Sequence, residues 1–262
     1  MLKQVGLETF TDAAAAFGLS VDTPVVPEDV EKVAQWMYDA RTDIARFFQP
    51  ARDAALSYYR DLTQGSQKAA VVDIGWRGTC GLYLRELFAQ AGERTQIVNA
   101  LVGCIATPDA DIRVASGVNQ AYLFSVAGNR DLYAKHAQKN LQLHSSLMEL
   151  LFTSDQPSFL QFGWDEKGSV QFHFAPREEK NMARILAMQQ GMMDFARDYA
   201  RCEQEVGVEL PIPAPDAYAP FAMIMDNTAY NRLLFDDYQF NELAGRFQEK
   251  QRRTIGQQIK GR

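Results

Sequence analysis

The fold is decided by residues 69–81, whose sequence is Ala-Ala-Val-Val-Asp-Ile-Gly-Trp-Arg-Gly-Thr-Cys-Gly. A short apolar run ends in Asp73, glycines at 75 and 78 allow a tight turn, and apolar residues then recur at helical spacing. This order predicts a buried strand, a loop and a helix. Ligands of open parallel sheets bind at the carboxyl ends of the strands, so Asp73 is predicted to lie at the lip of a polar cleft.

Two further apolar runs complete a small sheet. Residues 97–105 and 120–126 predict a second and a third strand, and the helix between the first two strands indicates that they are parallel. We expect the strand that ends at Asp73 to be the central one.

Residues 159–174 alternate aromatic side chains on two arms and predict a β-hairpin with its turn at 165–168. Because its aromatic side chains need a partner surface, we expect it to cover one side of the sheet or its cleft.

Helices are predicted around these strands. One begins near Pro27 and is broken by Pro50, because proline lacks the N–H group that an α-helix needs. A helical stretch covers 131–152, and the chain is helical again from residue 178, where Gln190-Gly191 predicts close helix packing through glycine. The last predicted helix covers 237–253.

The predicted fold class is α/β: a small parallel, Rossmann-like sheet with a β-hairpin and a helical carboxyl-terminal portion. The α/β domain is expected over residues 1–175 and the helical portion over 176–262, with a soft boundary.

Composition limits the possible functions. A formal net charge of −6 argues against general nucleic-acid binding, which needs clustered cations. The one basic cluster lies in 250–262, where a solvated helix end is the expected structure. No apolar run reaches the roughly 20 residues that span a bilayer, and the amino terminus lacks the apolar region of a signal peptide, so a cytoplasmic protein is expected. The spacing of the three cysteines predicts neither a disulfide framework nor a metal site.

The loop after Asp73 has the parts of a phosphate site. Phosphoryl transfer through an aspartyl intermediate needs a nucleophilic carboxylate, Mg²⁺ and a second acid. Asp73 is the candidate nucleophile and Mg²⁺ ligand. Thr79 and the start of the next helix are candidates for holding phosphate oxygens, and Arg77 for pairing with phosphate bidentately. Gly75 and Gly78 complete the predicted phosphate-binding loop.

Each of these residues also has a structural interpretation. The Asp73 carboxylate can instead accept hydrogen bonds from the loop and so fix the turn. Trp76 is either a stacking surface for a sugar or base, or an aromatic lid over the turn. Glu149 lies on an apolar helical face, so it is expected either to pair with an arginine or lysine or to point into the Asp73 cleft. Cys80 is either a thiol whose pKa is lowered by the helix start or a small buried filler.

Three strings, in order along the chain, carry a resemblance. They are Val-Val-Asp-Ile-Gly-Trp-Arg-Gly-Thr at 71–79, Glu-Leu-Leu-Phe-Thr at 149–153 followed by Pro157-Ser158, and Gln-Gly-x-x-x-Phe at 190–195. Together they resemble the carboxyl-terminal region of predicted haloacid-dehalogenase-like (HAD superfamily) hydrolases, over residues 27–250. Those proteins are encoded among bacterial polysaccharide and glycosyltransferase genes. The resemblance implies a HAD-like fold and a protein that acts on or binds a phosphorylated sugar or nucleotide-sugar, with a glycosyltransferase as a possible partner.

One departure from that family keeps several functions open. The family's hydrolase core begins with an Asp-x-Asp pair of nucleophile and general acid, and Gly75 stands where the second acid is expected. Asp109-Ala110-Asp111 has the letters of the pair but is predicted to lie in a polar surface turn. The alternatives are a Mg²⁺-dependent phosphatase or phosphotransferase, a non-catalytic domain that binds a glycan or a glycosyltransferase, and, ranked lower, a phosphoribosyltransferase-like protein.

Overall fold

The computed structural model describes residues 8–19, 27–137, 141–176, 183–227 and 229–230. Contacts divide the chain into two compact units. Of the described residues, the first unit contains 8–59 and 159–174, and the second contains 60–158 and 175–230. The division at residue 175 that the sequence suggested stays a prediction. The predicted helix at 237–253 lies outside the described residues.

The described residues form nine α-helices and five strands, with single 3₁₀ turns at Glu8–Phe10 and Pro27–Asp29. In chain order the elements are α1 (Thr11–Ala15), α2 (Val30–Asp39), α3 (Arg41–Thr63), β1 (Lys68–Asp73), α4 (Thr79–Gln90), β2 (Gln96–Gly103), α5 (Pro108–Ala115), β3 (Asn119–Phe124), α6 (Arg130–Ala137), α7 (Leu141–Leu151), β4 (Phe159–Trp164), β5 (Val170–Phe174), α8 (Ala183–Val206) and α9 (Ala214–Asp226).

The parallel sheet of the second unit has the order β1-β2-β3. Both strand pairs are parallel, as predicted, and in their register Asp73 lies opposite Leu101, while Asn99 lies opposite Asn119. The prediction that the Asp73 strand is central is wrong, because β1 is the edge of this sheet and β2 is the centre. The two strands differ in burial. Exposed and half-buried residues alternate in β1, whereas most residues of β2 are buried.

One face of the sheet near β1 is open among the described residues. Val72 is 83% exposed although it lies in a parallel strand, and Tyr122 of β3 is also exposed. An open hollow of about 330 Å³ lies over this face, with Val72, Ala100, Val102 and Tyr122 in its lining. Parallel sheets are usually covered on both faces, so this uncovered apolar area is unusual.

The helices differ from expectation at one proline. Pro50 lies inside α3 and does not break it, and the interruption comes at Ala40, between α2 and α3. A proline removes one backbone hydrogen bond of a helix. Here Pro50 is exposed, and the helix is 23 residues long and packs through the buried Ala54, so it continues past the proline. The predicted helical stretch at 131–152 is present as α6 and α7.

The core of the second unit surrounds Trp76, which follows β1. It contains residues of β3 and of helices α6 to α9, including Phe124, Leu147, Ile185 and Phe221. Within α8, Ile185 is buried, whereas the residues further along that helix are mostly exposed. The core therefore holds the beginning of α8 and leaves most of its length without apolar cover from described residues.

The first unit contains the predicted hairpin, which is confirmed as the antiparallel pair β4 and β5. Its rings meet α3: the Phe172 ring lies 5.1 Å from that of Tyr58, and the Phe162 ring lies 5.7 Å from that of Tyr59. These contacts supply the partner surface that the aromatic side chains need. Coverage of the parallel sheet by the hairpin stays a prediction.

No described helix is both long enough and apolar enough to cross a membrane.

Because β1 is the edge strand and β2 the central one, we expect Val72 of β1 and Leu101 of β2 to differ in how much their side chains contribute to the free energy of unfolding. Val72→Ser is expected to change the free energy of unfolding by less than about 0.5 kcal/mol, because the side chain already faces solvent. Leu101→Ala is expected to cost about 2–5 kcal/mol, because Leu101 is 2% exposed in the central strand. Urea unfolding of both variants measures the difference. A loss above about 1 kcal/mol for Val72→Ser would show that another part of the protein covers this face.

Candidate functional site

The candidate site is the loop between Asp73 at the end of β1 and Thr79 at the start of α4. The Gly75 N–H donates to the Asp73 carboxylate, with 2.8 Å between Gly75 N and Asp73 Oδ1. A Cβ at Gly75 would overlap this carboxylate, so a larger residue there would have to displace the Asp73 side chain. The bond matches the structural interpretation of Asp73, in which its carboxylate fixes the turn.

Two buried asparagines lie beneath the loop. Asn99 of β2 donates from Nδ2 to the Gly78 carbonyl at 3.0 Å and to Asn119 Oδ1 at 2.7 Å. Asn119 of β3 donates from Nδ2 to the Arg77 carbonyl at 3.1 Å. These two side chains, which we call the amide pair, therefore hold two successive loop carbonyls toward the sheet.

A third side chain fixes the same part of the loop. Arg113 of α5 donates to the Arg77 carbonyl from Nε at 3.2 Å and from Nη2 at 3.0 Å. With the bond from Asn119, the Arg77 carbonyl accepts from three nitrogen atoms. Its peptide plane is thus held in one orientation.

The orientation of the carbonyls determines where the N–H groups point. The described residues contain no cis peptide bond, and in a trans peptide the N–H is directed opposite to the C=O. The N–H groups of Gly78 and Thr79 therefore point away from the amide pair and out of the loop. Gly78 has a φ of 68°, and successive N–H groups around such a residue form a concave anion-binding surface.

The start of α4 adds to this surface. Gly78 is the N-cap and has no side chain to satisfy the first N–H groups of the helix, which have no partner within the helix itself. These groups also carry the positive end of the helix dipole. Gly81, in the first turn, faces the Asn99 side chain so closely that a Cβ would overlap Asn99 Oδ1. That oxygen is buried and has no hydrogen-bond partner among the described residues.

Charges of both signs surround the loop. The guanidinium of Arg77 is on an exposed residue, and that of Arg113 lies against the loop backbone. The carboxylate of Asp73 adds a negative charge that offsets part of theirs.

Cys80 is exposed, so it is not a small buried filler. Its pKa is raised and not lowered, first because the thiol is partly desolvated and then because the Asp73 carboxylate lies beside it.

Trp76 and Glu149 form a contact that the sequence did not predict. Trp76 is 9% exposed, and its indole N–H donates to Glu149 Oε1 at 2.6 Å. Its ring lies parallel to that of Phe124, with centroids 6.2 Å apart, and 5.3 Å from the His136 ring. Trp76 is thus a core residue, and this burial disfavours its use as a stacking surface for a sugar or base, which stays a prediction. Among the ion pairs of the described residues, Glu149 has neither an arginine nor a lysine partner, and its contact with Trp76 joins α7 to the loop.

The ring beside Trp76 belongs to a fully buried histidine. His136 Nδ1 lies 3.1 Å from the Tyr218 hydroxyl and Nε2 lies 3.3 Å from the Ser145 hydroxyl. Burial, and after it the neighbouring His144, lowers the pKa of His136 to about 4. His136 is therefore neutral at pH 7, with one ring nitrogen donating and the other accepting.

The fit of the site to Mg²⁺ depends on its oxygen ligands. Mg²⁺ takes six oxygen ligands, commonly one or two carboxylates together with water and phosphate oxygens. The described residues contain no group of three or more His, Cys, Asp or Glu side chains able to hold a metal ion. The loop itself supplies the single carboxylate of Asp73, already bonded to Gly75. A Mg²⁺ ion held by Asp73 would therefore take most of its ligands from phosphate and water, and Mg²⁺ binding stays a prediction.

The structure brings some predicted residues together and adds others. Asp73, Gly75, Arg77, Gly78 and Thr79 all lie in or at the end of one loop, and Glu149 reaches it through Trp76. The amide pair and Arg113 were not predicted. One signal was present, because Asn99 interrupts an otherwise apolar run, and a polar side chain in a buried strand needs a partner.

The Asp109-Ala110-Asp111 segment is helical and not a polar turn. Thr107 caps α5 by accepting from the Ala110 N–H, at 3.3 Å, and both acids lie in the first turn of that helix. Acids at this end of a helix are stabilised by its dipole.

Comparison with known proteins adds no relative. No protein-family model, no curated protein and no solved structure matches this chain. The resemblance to haloacid-dehalogenase-like hydrolases therefore rests on its motif residues and stays a prediction.

The contact between Gly81 and Asn99 can be tested by stability measurements. In an ordinary helix, Gly→Ala stabilises by up to about 1 kcal/mol. Here, Gly81→Ala is expected to destabilise by about 1–3 kcal/mol, because the new methyl group would overlap the Asn99 side chain. The control is the same change in an Asn99→Ala background, where it should be neutral or stabilising. A stabilising Gly81→Ala in the wild-type background would contradict the packing described here.

The buried histidine predicts the pH dependence of stability. Between pH 6.5 and about 4 the unfolded chain binds a proton at His136 and the folded chain does not, so the free energy of unfolding falls as the pH is lowered through this window. The expected loss from pH 7.5 to pH 5 is about 2 kcal/mol. Urea unfolding at the two pH values measures it, and His136→Gln should reduce the slope. A ring NMR signal of His136 that titrates near pH 6.5 in the folded protein would contradict this assignment.

Proposed function

We propose that this chain is a non-catalytic binding domain that holds the phosphate group of a small phosphorylated ligand at residues 75–79 and the first turn of α4. The observation that carries the proposal is the outward direction of the Gly78 and Thr79 N–H groups. It follows from the inward bonds of the Arg77 and Gly78 carbonyls. A helix start with free N–H groups is a general anion-binding arrangement.

The charges of the loop support an anionic ligand. Arg77 is exposed and carries a guanidinium that can pair with phosphate through two hydrogen bonds. Arg113 adds a second positive charge near the loop, on the side of the Arg77 carbonyl and opposite to the outward N–H groups. Asp73 offsets part of this charge, so the site should bind a phosphate monoester or diester with moderate affinity.

The geometry favours binding over hydrolysis. A nucleophilic carboxylate must be free to attack and needs a general acid nearby. Asp73 accepts a bond from the loop backbone, and Gly75 stands where the general acid of the resembling family is expected. Glu149, the second acid of the predicted site, is bonded to the Trp76 indole.

Mg²⁺-dependent phosphoryl transfer is the second candidate function. It is favoured by the position of the Asp73 carboxylate at the end of β1, on the same short loop as the outward N–H groups. With phosphate bound, Asp73 would hold Mg²⁺ together with phosphate oxygens, and the metal would offset the phosphate charge.

The motif resemblance supports the class of ligand. It favours a phosphorylated sugar or a nucleotide-sugar, surface-polysaccharide metabolism as the biological setting, and a glycosyltransferase as the protein partner. The sugar would be recognised by residues other than Trp76, since this ring is buried.

Calorimetry with the full chain tests the proposal. The probes are inorganic phosphate, glucose 1-phosphate and UDP-glucose, each with and without Mg²⁺. Arg77→Ala is expected to weaken binding about tenfold or more, the usual worth of a charge-assisted contact. Asp73→Asn keeps an oxygen for the Gly75 N–H and removes a negative charge, so binding should become about threefold tighter. Arg85→Ala, which changes an exposed arginine of α4, is the matched control and should have no effect.

The outcomes separate the two functions. Binding that does not need Mg²⁺ and tightens in Asp73→Asn supports the binding domain. Mg²⁺-dependent turnover that disappears in Asp73→Asn, with an unchanged melting temperature, supports phosphoryl transfer. Absence of binding to all three probes overturns the assignment of this loop.

A further inference from the structure

Strand β1 directs half of its backbone hydrogen-bonding groups away from β2. Where the two strands begin to pair, the Gln67 carbonyl accepts from the Gln96 N–H at 2.9 Å. Successive residues of a strand direct their N–H and C=O groups to alternate sides, so every second residue from Gln67 points toward β2. The residues between them point outward. They are Lys68, Ala70 and Val72, which we call the β1 edge.

The β1 edge is accessible to another strand. Val72 is 83% exposed, and Lys68 and Ala70 are exposed as well. Among the described residues, no strand pairs with the outer side of β1. Each residue of the edge therefore offers one N–H and one C=O group to a strand from another molecule.

A second copy of the same strand matches every group of this edge. In an antiparallel pair, residues directly opposite each other exchange either two hydrogen bonds or none. When a two-fold axis passes between the two Ala70 residues, Ala70 lies opposite Ala70 and Lys68 lies opposite Val72. Each of these pairs joins two outward-pointing residues, so each exchanges two bonds. Every outer N–H of one copy then meets an outer C=O of the other.

Symmetry disfavours the parallel arrangement. In a parallel pair, each residue bonds with the residues that precede and follow the one opposite it. A two-fold axis along the strands would place Ala70 opposite Ala70, and its bonding partners would be Ala69 and Val71 of the other copy. The backbone groups of those two residues already point toward β2. A closed dimer through this edge is therefore antiparallel.

The charges of β1 also complement each other in the antiparallel arrangement. Lys68 begins the strand and Asp73 ends it. Antiparallel pairing brings the basic end of each copy beside the acidic end of the other, whereas parallel pairing brings like charges together. The residue at the axis is an alanine, so no charge and no large side chain opposes its own copy there. Val72 lies opposite Lys68, whose aliphatic stem can cover part of the exposed valine.

The length of the strand limits the strength of the association. β1 has 6 residues. A strand pair of this length is a small interface compared with the roughly 1,200–2,000 Å² that stable complexes bury. We therefore expect a reversible dimer with a Kd on the order of 100 µM.

We propose that two copies of this chain associate through β1 by antiparallel strand addition about a two-fold axis at Ala70. The two three-stranded sheets join into one continuous sheet of order β3-β2-β1-β1-β2-β3. Opposite residues of an antiparallel pair lie on the same face, so the open apolar faces of the two copies lie side by side. The contact uses residues 68–72 and none of the loop residues 75–79, so the proposal does not depend on the ligand of that loop.

Charge substitution at the axis tests the proposal with the full chain. Ala70→Lys and Ala70→Glu each place like charges opposite one another in a dimer of one variant, whereas a mixture of the two variants places opposite charges together. The Ala70 side chain is exposed, so both variants should fold. Sedimentation equilibrium from about 10 µM to about 1 mM should show dimers of the unchanged chain, about threefold to fivefold weaker association of each variant alone, and full association of the mixture.

Proline substitution tests the hydrogen bonds. The Ala70 N–H points outward, so Ala70→Pro removes no bond between β1 and β2, and proline is tolerated on an edge strand when its nitrogen faces solvent. In the dimer it removes both bonds across the axis, which should weaken association about 30-fold. The melting temperature of the dilute protein, measured by circular dichroism, should stay close to that of the unchanged chain.

Matched controls and opposing outcomes complete the design. Ala89→Lys and Ala89→Glu make the same changes at an exposed position of α4 and should leave the dimer unchanged. A chain that is monomeric at about 1 mM overturns the proposal, since this is tenfold above the expected Kd. A dimer that is insensitive to both charges at Ala70, or equally sensitive to those at Ala89, would use another surface. Oligomers that keep growing with concentration would contradict closed two-fold association.

Discussion

The described structure around the loop depends on two carbonyl groups that face inward. The amide pair, Asn99 and Asn119, lies in adjacent strands and is buried, so its polar atoms need partners within the protein. The loop carbonyls of Arg77 and Gly78 accept from the amide N–H groups, whereas Asn99 Oδ1 has no partner among the described residues. The space that the amides occupy leaves no room for a Cβ at Gly78 or Gly81. One buried polar contact thus explains both glycines and the direction of the N–H groups.

The loop is also held from the opposite side by the core. Trp76 lies in the loop and in the hydrophobic cluster at once, and its indole N–H bonds to Glu149 of α7. A charged acceptor makes this a stronger bond than a neutral one. The neutral His136 ring fills the space beside the indole. The position of the loop is therefore coupled to the packing of α6 and α7, far from it in the chain.

Local features were predictable from the sequence, and features that depend on distant neighbours were not. The strand, loop and helix at residues 69–81 follow from adjacent residues, and so does the hairpin. The order of the strands could not be inferred, because the valine-rich run of β1 has the composition of a central strand. Pro50 was misjudged, because the prediction considered the lost hydrogen bond and not the length of the helix. Arg113 gave no signal, since its partner is a backbone carbonyl 36 positions away.

The edge position of β1 has a consequence for self-association. Among the described residues no strand pairs with the outer side of β1, so alternate N–H and C=O groups there lack a strand partner. Such an edge is a template on which a foreign extended chain can add, above all where the side chains are as apolar as Val71 and Val72. The two ends of this exposed strand edge are charged, by Lys68 at one end and Asp73 at the other. The charged ends act as gatekeepers, which restrict the length over which strands of separate molecules can join into an aggregate.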